Sequence, residues 1–257
     1  MTKPLAQTPA MAIAPDRPLL APERRAIAAA IDALKTRPPR VHAIVSSVAQ
    51  PFLANIGAGL GIDVSMTVDA LDAKPMALQS DAVLVNLGML DDVRRGGIES
   101  IVDAGCPYVL DPVKVDRAPE RLAFAQRLMG QKPLIVKGNT AEMAVLSVPE
   151  NTVCVTTGKR DQVAMGGRRI ALANGDPMMD RVIATGCAVG LLVTALACVE
   201  ADPFLAAVAG VGLFNVAGEE AAKDANGPGS FAVALIDAVS GLDGAQVAER
   251  IKSADAA

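Results

Sequence analysis

The chain has 257 residues, 51% hydrophobic and only 2% aromatic, with 28 acidic against 24 basic side chains and a net charge of −4. Scattered lysines and arginines under an acidic balance argue against nucleic acid or an anionic membrane as partner, and so few rings argue against a stacking platform for bases or sugars. Four cysteines (Cys106, Cys154, Cys187, Cys198) with no CxxC pair and no nearby histidine argue against a zinc site or a disulfide framework, and suit a reducing cytoplasm.

The start, Met1–Pro9, lacks a basic stretch followed by an apolar run and reads as a tail, here set at residues 1–20, ahead of a single domain over 21–257. Pro22–Thr36 has amphipathic helical spacing (Ile27, Ile31, Leu34), and Pro38-Pro39 stops it. Val41–Ser46 is a short apolar strand, Gln50–Leu60 a helix ended by Gly61, and Val64–Val68 a second strand. Met76–Ser80 lies in a short helix, Ala82–Leu87 is a buried strand, and Asp91-Asp92 open a helix to Ala104. Pro107–Leu110 is a strand closed by Asp111-Pro112, followed by helix Pro119–Met129, strand Leu134–Val136 and a helix opened by Asn139-Thr140.

Val153–Thr156, Gln162–Met165 and Arg169–Leu172 are separated only by glycine-containing turns and form a meander at one edge. From Ala188 the chain is helical: to Val199, then Pro203–Lys223, Phe231–Val239 and Ala245–Lys252. This alternation predicts an α/β fold, a mainly parallel sheet with helices on both faces and an antiparallel edge. Val182–Val199 is apolar enough to raise a membrane span, but the small residues at its start, and a strand ending at Ile183-Ala184, fit a buried core helix better.

One junction stands out. In Val182-Ile183-Ala184-Thr185-Gly186-Cys187, small residues leave the first-turn N–H groups of a long apolar helix uncovered, which suits a phosphate or oxyanion. A close-packed turn with an inert core thiol reads equally well from this stretch alone. Ligands of open α/β sheets bind at the carboxyl ends of the strands. There the sequence places Asp111, Gly138-Asn139 with Glu142 one turn on, Thr157-Gly158, and the Thr185–Cys187 turn. Paired acids, a cation read as exposed (Lys137) and a helix N-terminus suit a magnesium nucleotide. The lone histidine, His42, reads as a buried, hydrogen-bonded core residue.

The stretches Val41-His-Ala-Ile-Val-Ser46, Ala54-Asn55, Met66, Asn86-Leu-Gly88, Leu110-Asp-Pro112 and Lys137-Gly-Asn-Thr-Ala-Glu142 resemble, in order, those of the hydroxyethylthiazole kinases of the ribokinase-like superfamily. So do Val155-Thr-Thr-Gly158 with Asp161, Asn174-Gly-Asp-Pro-Met178, Ala184-Thr-Gly-Cys187 and Gly227-Pro-Gly-Ser-Phe231. The resemblance implies ATP-dependent phosphorylation of the hydroxyethyl group of 4-methyl-5-(2-hydroxyethyl)thiazole in thiamine salvage, by a cytoplasmic homotrimer with sites at subunit interfaces. It implies Cys187, Gly186 and Thr185 at the transferring phosphoryl group, and Asp111 and Glu142 on Mg2+. It implies Met66, Ala184, Ser46 and Ile44 at the substrate, with Lys137, Thr157, Gly158 and Asn139 at ATP.

The chain departs from the family at Ser46 (Asn), Ala184 (Gly), Lys137 (Arg) and Lys159 (Glu). It also has only Met143–Thr152 where the family inserts a longer helical segment, so one helix is expected to be missing or reduced to a turn. Two further readings follow: a kinase of a related hydroxylated heterocycle or pyrimidine, and a non-catalytic heterocycle-binding relative.

Overall fold

The computed structural model describes residues 16–253, so the predicted tail lies outside the described residues up to position 15. Eight strands form one sheet: β1 (Arg40–Ile44), β2 (Asp63–Ser65), β3 (Ala82–Asn86), β4 (Tyr108–Asp111), β5 (Ile135–Asn139), β6 (Val153–Thr157), β7 (Asp161–Met165) and β8 (Arg168–Leu172). Their order is β2-β1-β3-β4-β5-β6-β7-β8, parallel as far as β6 and antiparallel through β7 and β8. Every residue of β3 is buried, as expected of a central parallel strand covered on both faces.

The helices are α1 (Ala21–Thr36), α2 (Gln50–Gly59), α3 (Ala70–Leu78), α4 (Asp92–Asp103), α5 (Pro119–Met129), α6 (Thr140–Ala144), α7 (Thr185–Ala197), α8 (Pro203–Ala221), α9 (Pro228–Gly241) and α10 (Gly244–Arg250). Two cores lie on opposite faces of the sheet. One joins Val41, Leu84, Val109 and Ile135 to α1, α2, α7, α8 and α9; the other joins Ile44, Val85, Leu110 and Val136 to α3, α4 and α5. Alternate residues along each strand feed alternate cores. The expected three-layer α/β/α fold is therefore present.

Side-chain caps fix five of the ten α-helix starts among the described residues. The side chains of Asp69, Asp91, Asn139, Asp202 and Asp243 each accept a backbone N–H from the first turn of α3, α4, α6, α8 and α10. Asp69 explains why α3 begins six residues before the expected Met76–Ser80 stretch. The expected strand end at Ile183-Ala184 is absent: a 3-10 turn, Pro177–Arg181, runs into an irregular turn, and Ile183 is 75% exposed. Two β-branched residues without a pairing edge do not make a strand. The β5–β6 crossover carries only the five-residue α6, as its shortness predicted.

Among the described residues α8 is long and apolar enough to cross a membrane, but 89% of that stretch is buried within the fold. It packs closely on α7, where Gly210 lets the backbone of Val193 approach. His42 is fully buried and hydrogen-bonds Ser65 Oγ through Nδ1 at 2.7 Å, the core role expected of it. Burial pushes the thiols of Cys106, Cys154 and Cys198 upward, the last to about 12.

Candidate active site

The β3–β4 register sets Asn86 beside Asp111, and the β5–β6 register sets Asn139 beside Thr157. The carboxyl ends of four strands thus converge. Asp111 is completely buried; its carboxylate accepts a 2.8 Å bond from Asn86 Nδ2 and lies 3.4 Å from Lys137 Nζ. Lys137 is not the exposed cation the sequence suggested: its side chain is 5% exposed, because β5 carries it inward against the acid at the end of β4. Burial pulls Lys137 down, but the charges of Asp111 and Glu142 outweigh it and hold the ammonium above the usual lysine range. Burial pushes Asp111 up, and Lys137 opposes that shift.

Above this pair lies the start of α7. A methyl built on Gly186 would sit 3.3 Å from Lys137 Nζ, a tight contact, so the turn lies close over the ammonium. No side chain caps α7, in contrast to the aspartate-capped helices. The Thr185 hydroxyl turns back to donate to Met179 and Val182 carbonyls, so it is not available to the helix end. Free first-turn amides above a buried ammonium make an anion seat. Cys187 Sγ is 3.3 Å from Asn86 Nδ2. Burial, then the charge of Asp111, raise this thiol to about 11 against the opposing pull of Lys137 and Asn86, so at neutral pH it is protonated.

Glu142 is 5% exposed and doubly engaged: Oε1 accepts the Lys114 N–H and Oε2 the Asn139 N–H, each at 2.8 Å. The second bond closes a capping box with Asn139. Glu142 thus ties the β4–α5 loop to the start of α6. Each carboxylate oxygen still has a free lone pair. The Asp111 and Glu142 charges act on each other unfavourably, a repulsion that a shared divalent cation would relieve. Among the described residues no three candidate ligands cluster. Magnesium needs only one or two carboxylates when phosphates and waters complete its shell, so this pair fits it.

A cavity of about 620 Å³ opens beside the junction. Ser46, Ala184 and Cys187, expected at the site, line it, together with Val48, Gly88, Met89, Val113, Lys114, Arg117, Arg121 and Ile183. Ile44 does not; it is fully buried in the core on the α3–α4 face. Met66 is half-buried against the other core and also lies outside the cavity wall. Thr157 and Gly158 lie beyond Lys137 at the end of β6, where Asp161 accepts the Gly158 N–H at 2.8 Å and is itself held by Asn215 of α8.

Sequence reasoning missed Asn86 as the residue joining Asp111 to Cys187, and missed Arg94, Lys114, Arg117 and Arg121. Arg94 is 5% exposed and donates to the carbonyls of Asn86 and Gly88, clamping the loop that carries Asn86. Only position could have flagged these residues: all follow strand ends at the ligand edge.

Four non-glycine residues have left-handed backbone among the described residues, and three of them, Met89, Lys114 and Ala184, line the cavity. Each such residue costs about 1–2 kcal/mol. Ala184, at φ 72°, occupies the α7 N-cap where the resembled family has glycine, which takes this conformation freely.

The architecture is a ribokinase-like fold. A ribokinase-like superfamily protein from Enterococcus faecalis V583 shares the fold at a TM-score of 0.60 and 13% identity, over 91% of this chain and 93% of that one. More particularly, the chain belongs to the hydroxyethylthiazole kinase family, whose model matches residues 31–151 and 146–244. It is 37% identical over 213 residues to a probable hydroxyethylthiazole kinase of Agrobacterium fabrum, covering 81% of this chain and 87% of that protein. A hydroxyethylthiazole kinase structure from Pyrococcus horikoshii OT3 superposes with a TM-score of 0.84 at 28% identity, over 90% of this chain and 98% of that one.

Proposed function

We propose that this chain transfers the terminal phosphoryl group of ATP to the hydroxyethyl group of 4-methyl-5-(2-hydroxyethyl)thiazole, as a cytoplasmic single-domain kinase of thiamine salvage. The observation that carries the reading is the uncapped α7 N-terminus over the buried Lys137–Asp111 pair, opening on one cavity with Cys187 at its wall. The amides of residues 185–187 and the Lys137 ammonium meet the charge on the equatorial phosphoryl oxygens. Asp111 and Glu142 would hold Mg2+, which supplies charge neutralisation at the phosphates when bound. Asn139, Thr157 and Gly158 serve the nucleotide; Ser46 and Ala184, which line the cavity, face the acceptor.

Cys187, protonated at neutral pH, orients the acceptor hydroxyl and takes no proton from it. Positioning and electrostatics carry most of such a transfer, so a base is dispensable. The assembly proposed is a homotrimer with sites at its interfaces, and the exposed apolar residues at the cavity mouth, Val48, Met89 and Ile183, suit a subunit contact there.

Coupled ADP release with hydroxyethylthiazole, hydroxymethylpyrimidine and pyridoxal tests the reading, and the thiazole is expected to give the highest kcat/KM. Preference for another alcohol would favour the related-kinase reading, which the Ala184 methyl supports. A thiazole that shifts Tm without any ATP turnover would favour the binding relative. In the same assay Cys187→Asp is expected to retain or raise turnover; a dead variant beside an active parent overturns the assignment of Cys187.

A further inference from the structure

Gly158, Lys159 and Arg160 form an exposed turn between β6 and β7, yet Asp161, which closes it, is only 6% exposed. Both carboxylate oxygens are engaged: Oδ1 accepts the Gly158 N–H at 2.8 Å, and Oδ2 accepts from Asn215 Nδ2 at 2.5 Å. Asn215 is buried in a stretch of α8 that otherwise buries only apolar residues and glycine. An acid that merely closes a turn needs the first bond alone and can keep its other oxygen in water. The second bond ties this turn to a core helix 54 residues further along the chain.

The turn belongs to the nucleotide side of the site. Thr157 pairs with Asn139, and its hydroxyl donates to the Gly138 carbonyl at 3.4 Å. A methyl built on Gly158 would meet Thr140 Oγ1 at 3.4 Å, so the turn rests on the start of α6. Burial pushes the Asp161 carboxyl up, while Asn215, Gly158 and then Lys137 pull it back, so the acid lies within the field of the buried ammonium. The same helix supports the other half of the site. Three residues beyond Asn215, Gly218 gives room to the Met179 side chain, and the Met179 carbonyl accepts the Thr185 hydroxyl at the start of α7. One rigid element thus holds both the β6–β7 turn and the anion seat.

We infer that Asp161 and Asn215 are positioning residues for the nucleotide, a buried hydrogen-bonded pair that fixes the Thr157-Gly158 backbone where it meets ATP. The inference rests on the reading of this strand end as the nucleotide side and identifies what holds it in place. Neither side chain lines the cavity, so the acceptor should not feel their loss.

Calorimetric binding of Mg-ATP to the full chain reads the pair, with binding of 4-methyl-5-(2-hydroxyethyl)thiazole as the control. Asp161→Ala is expected to weaken Mg-ATP at least about tenfold and the thiazole by less than about threefold, the scale of a lost buried hydrogen bond felt by one ligand only. Asp161→Asn is expected to stay within about threefold of the parent: its amide oxygen accepts from Gly158, and its Nδ2 donates to Asn215 once that amide turns over. A purely structural pair would lower Tm in Asp161→Ala and leave Mg-ATP affinity unchanged, which overturns the inference. An Asp161→Asn variant as weak as Asp161→Ala also overturns it, assigning the effect to charge beside Lys137. Where Asp161→Ala does not fold, Asn215→Ala decides, since it removes one bond of the two. Mg-ATP weakened about threefold or more with thiazole binding unchanged then supports the pair, and equal binding of both overturns it. ADP release is read separately: a parent that binds Mg-ATP but phosphorylates no alcohol sinks the kinase reading and leaves the inference standing.

Discussion

Glu142→Gln is expected to lower kcat by roughly 10²- to 10³-fold, the scale on which one preorganised charge-stabilising group acts. Glutamine keeps the length of the side chain and one acceptor oxygen. It can satisfy only one of the two N–H groups, those of Lys114 and Asn139, that the carboxylate now serves. The structural cost is therefore about one unsatisfied donor, on the order of 1–3 kcal/mol, visible as a lower Tm. Loss of charge beside Asp111 removes half of the proposed magnesium seat. The two effects part in a titration of turnover against Mg2+. The variant should need more metal and still fall short at saturation. Turnover within threefold of the parent would mean that Glu142 only pins the loops.

Lys137→Met is expected to be both inactive and destabilised by about 3–5 kcal/mol in urea unfolding at pH 8, the usual cost of removing one partner from a buried ion pair. The remaining carboxylate decides how this cost varies with pH. Asp111 already lies above the ordinary carboxylate range through burial, and without Lys137 it moves further up. An acid whose folded pKa exceeds its unfolded value, about 3.9, gives stability that is present below that value and is lost as pH rises through the folded pKa. The variant should therefore recover part of the deficit on acidification from pH 8 towards pH 5, relative to the parent. The double variant Lys137→Met with Asp111→Asn should be less damaged at pH 8 than Lys137→Met alone. A deficit that is flat with pH would mean that the pair does not act as a unit.

These results bear on how far the sequence can be read. Buried β-branched runs and aspartate caps are local signals, so the parallel sheet, the antiparallel edge and most helices were legible. The rule that ligands gather at strand carboxyl ends drew Asp111, Asn139, Glu142, Thr157 and Cys187 to one edge before any contact was known. What the chain alone does not carry is the third partner. A lysine after a strand reads as solvent-exposed because most lysines are; only the β4–β5 pairing of Leu110 with Val136 sets Lys137 beside Asp111. Ile44 is a different case. The buried apolar residues of its strand alternate between two cores, so their apolar character does not say which face a given one meets. Lys114, Arg117 and Arg121 look like ordinary surface charge on a loop and a helix, and acquire meaning only from the cavity they share. The left-handed backbone of Ala184 was foreshadowed by the glycine usual there, but its strain is a fact of geometry alone.

The raised thiols have a consequence in redox chemistry. Oxidation by peroxide begins from the thiolate, and a thiol held at about 11 or 12 is almost wholly protonated at neutral pH. Cys106 and Cys154 are shifted in the same direction by burial. A sulfur thus stands at the wall of the proposed transfer site without becoming a peroxide sensor. At neutral pH Cys187 is therefore expected to react more slowly with peroxide than a free thiol, which mass spectrometry of the treated protein would read.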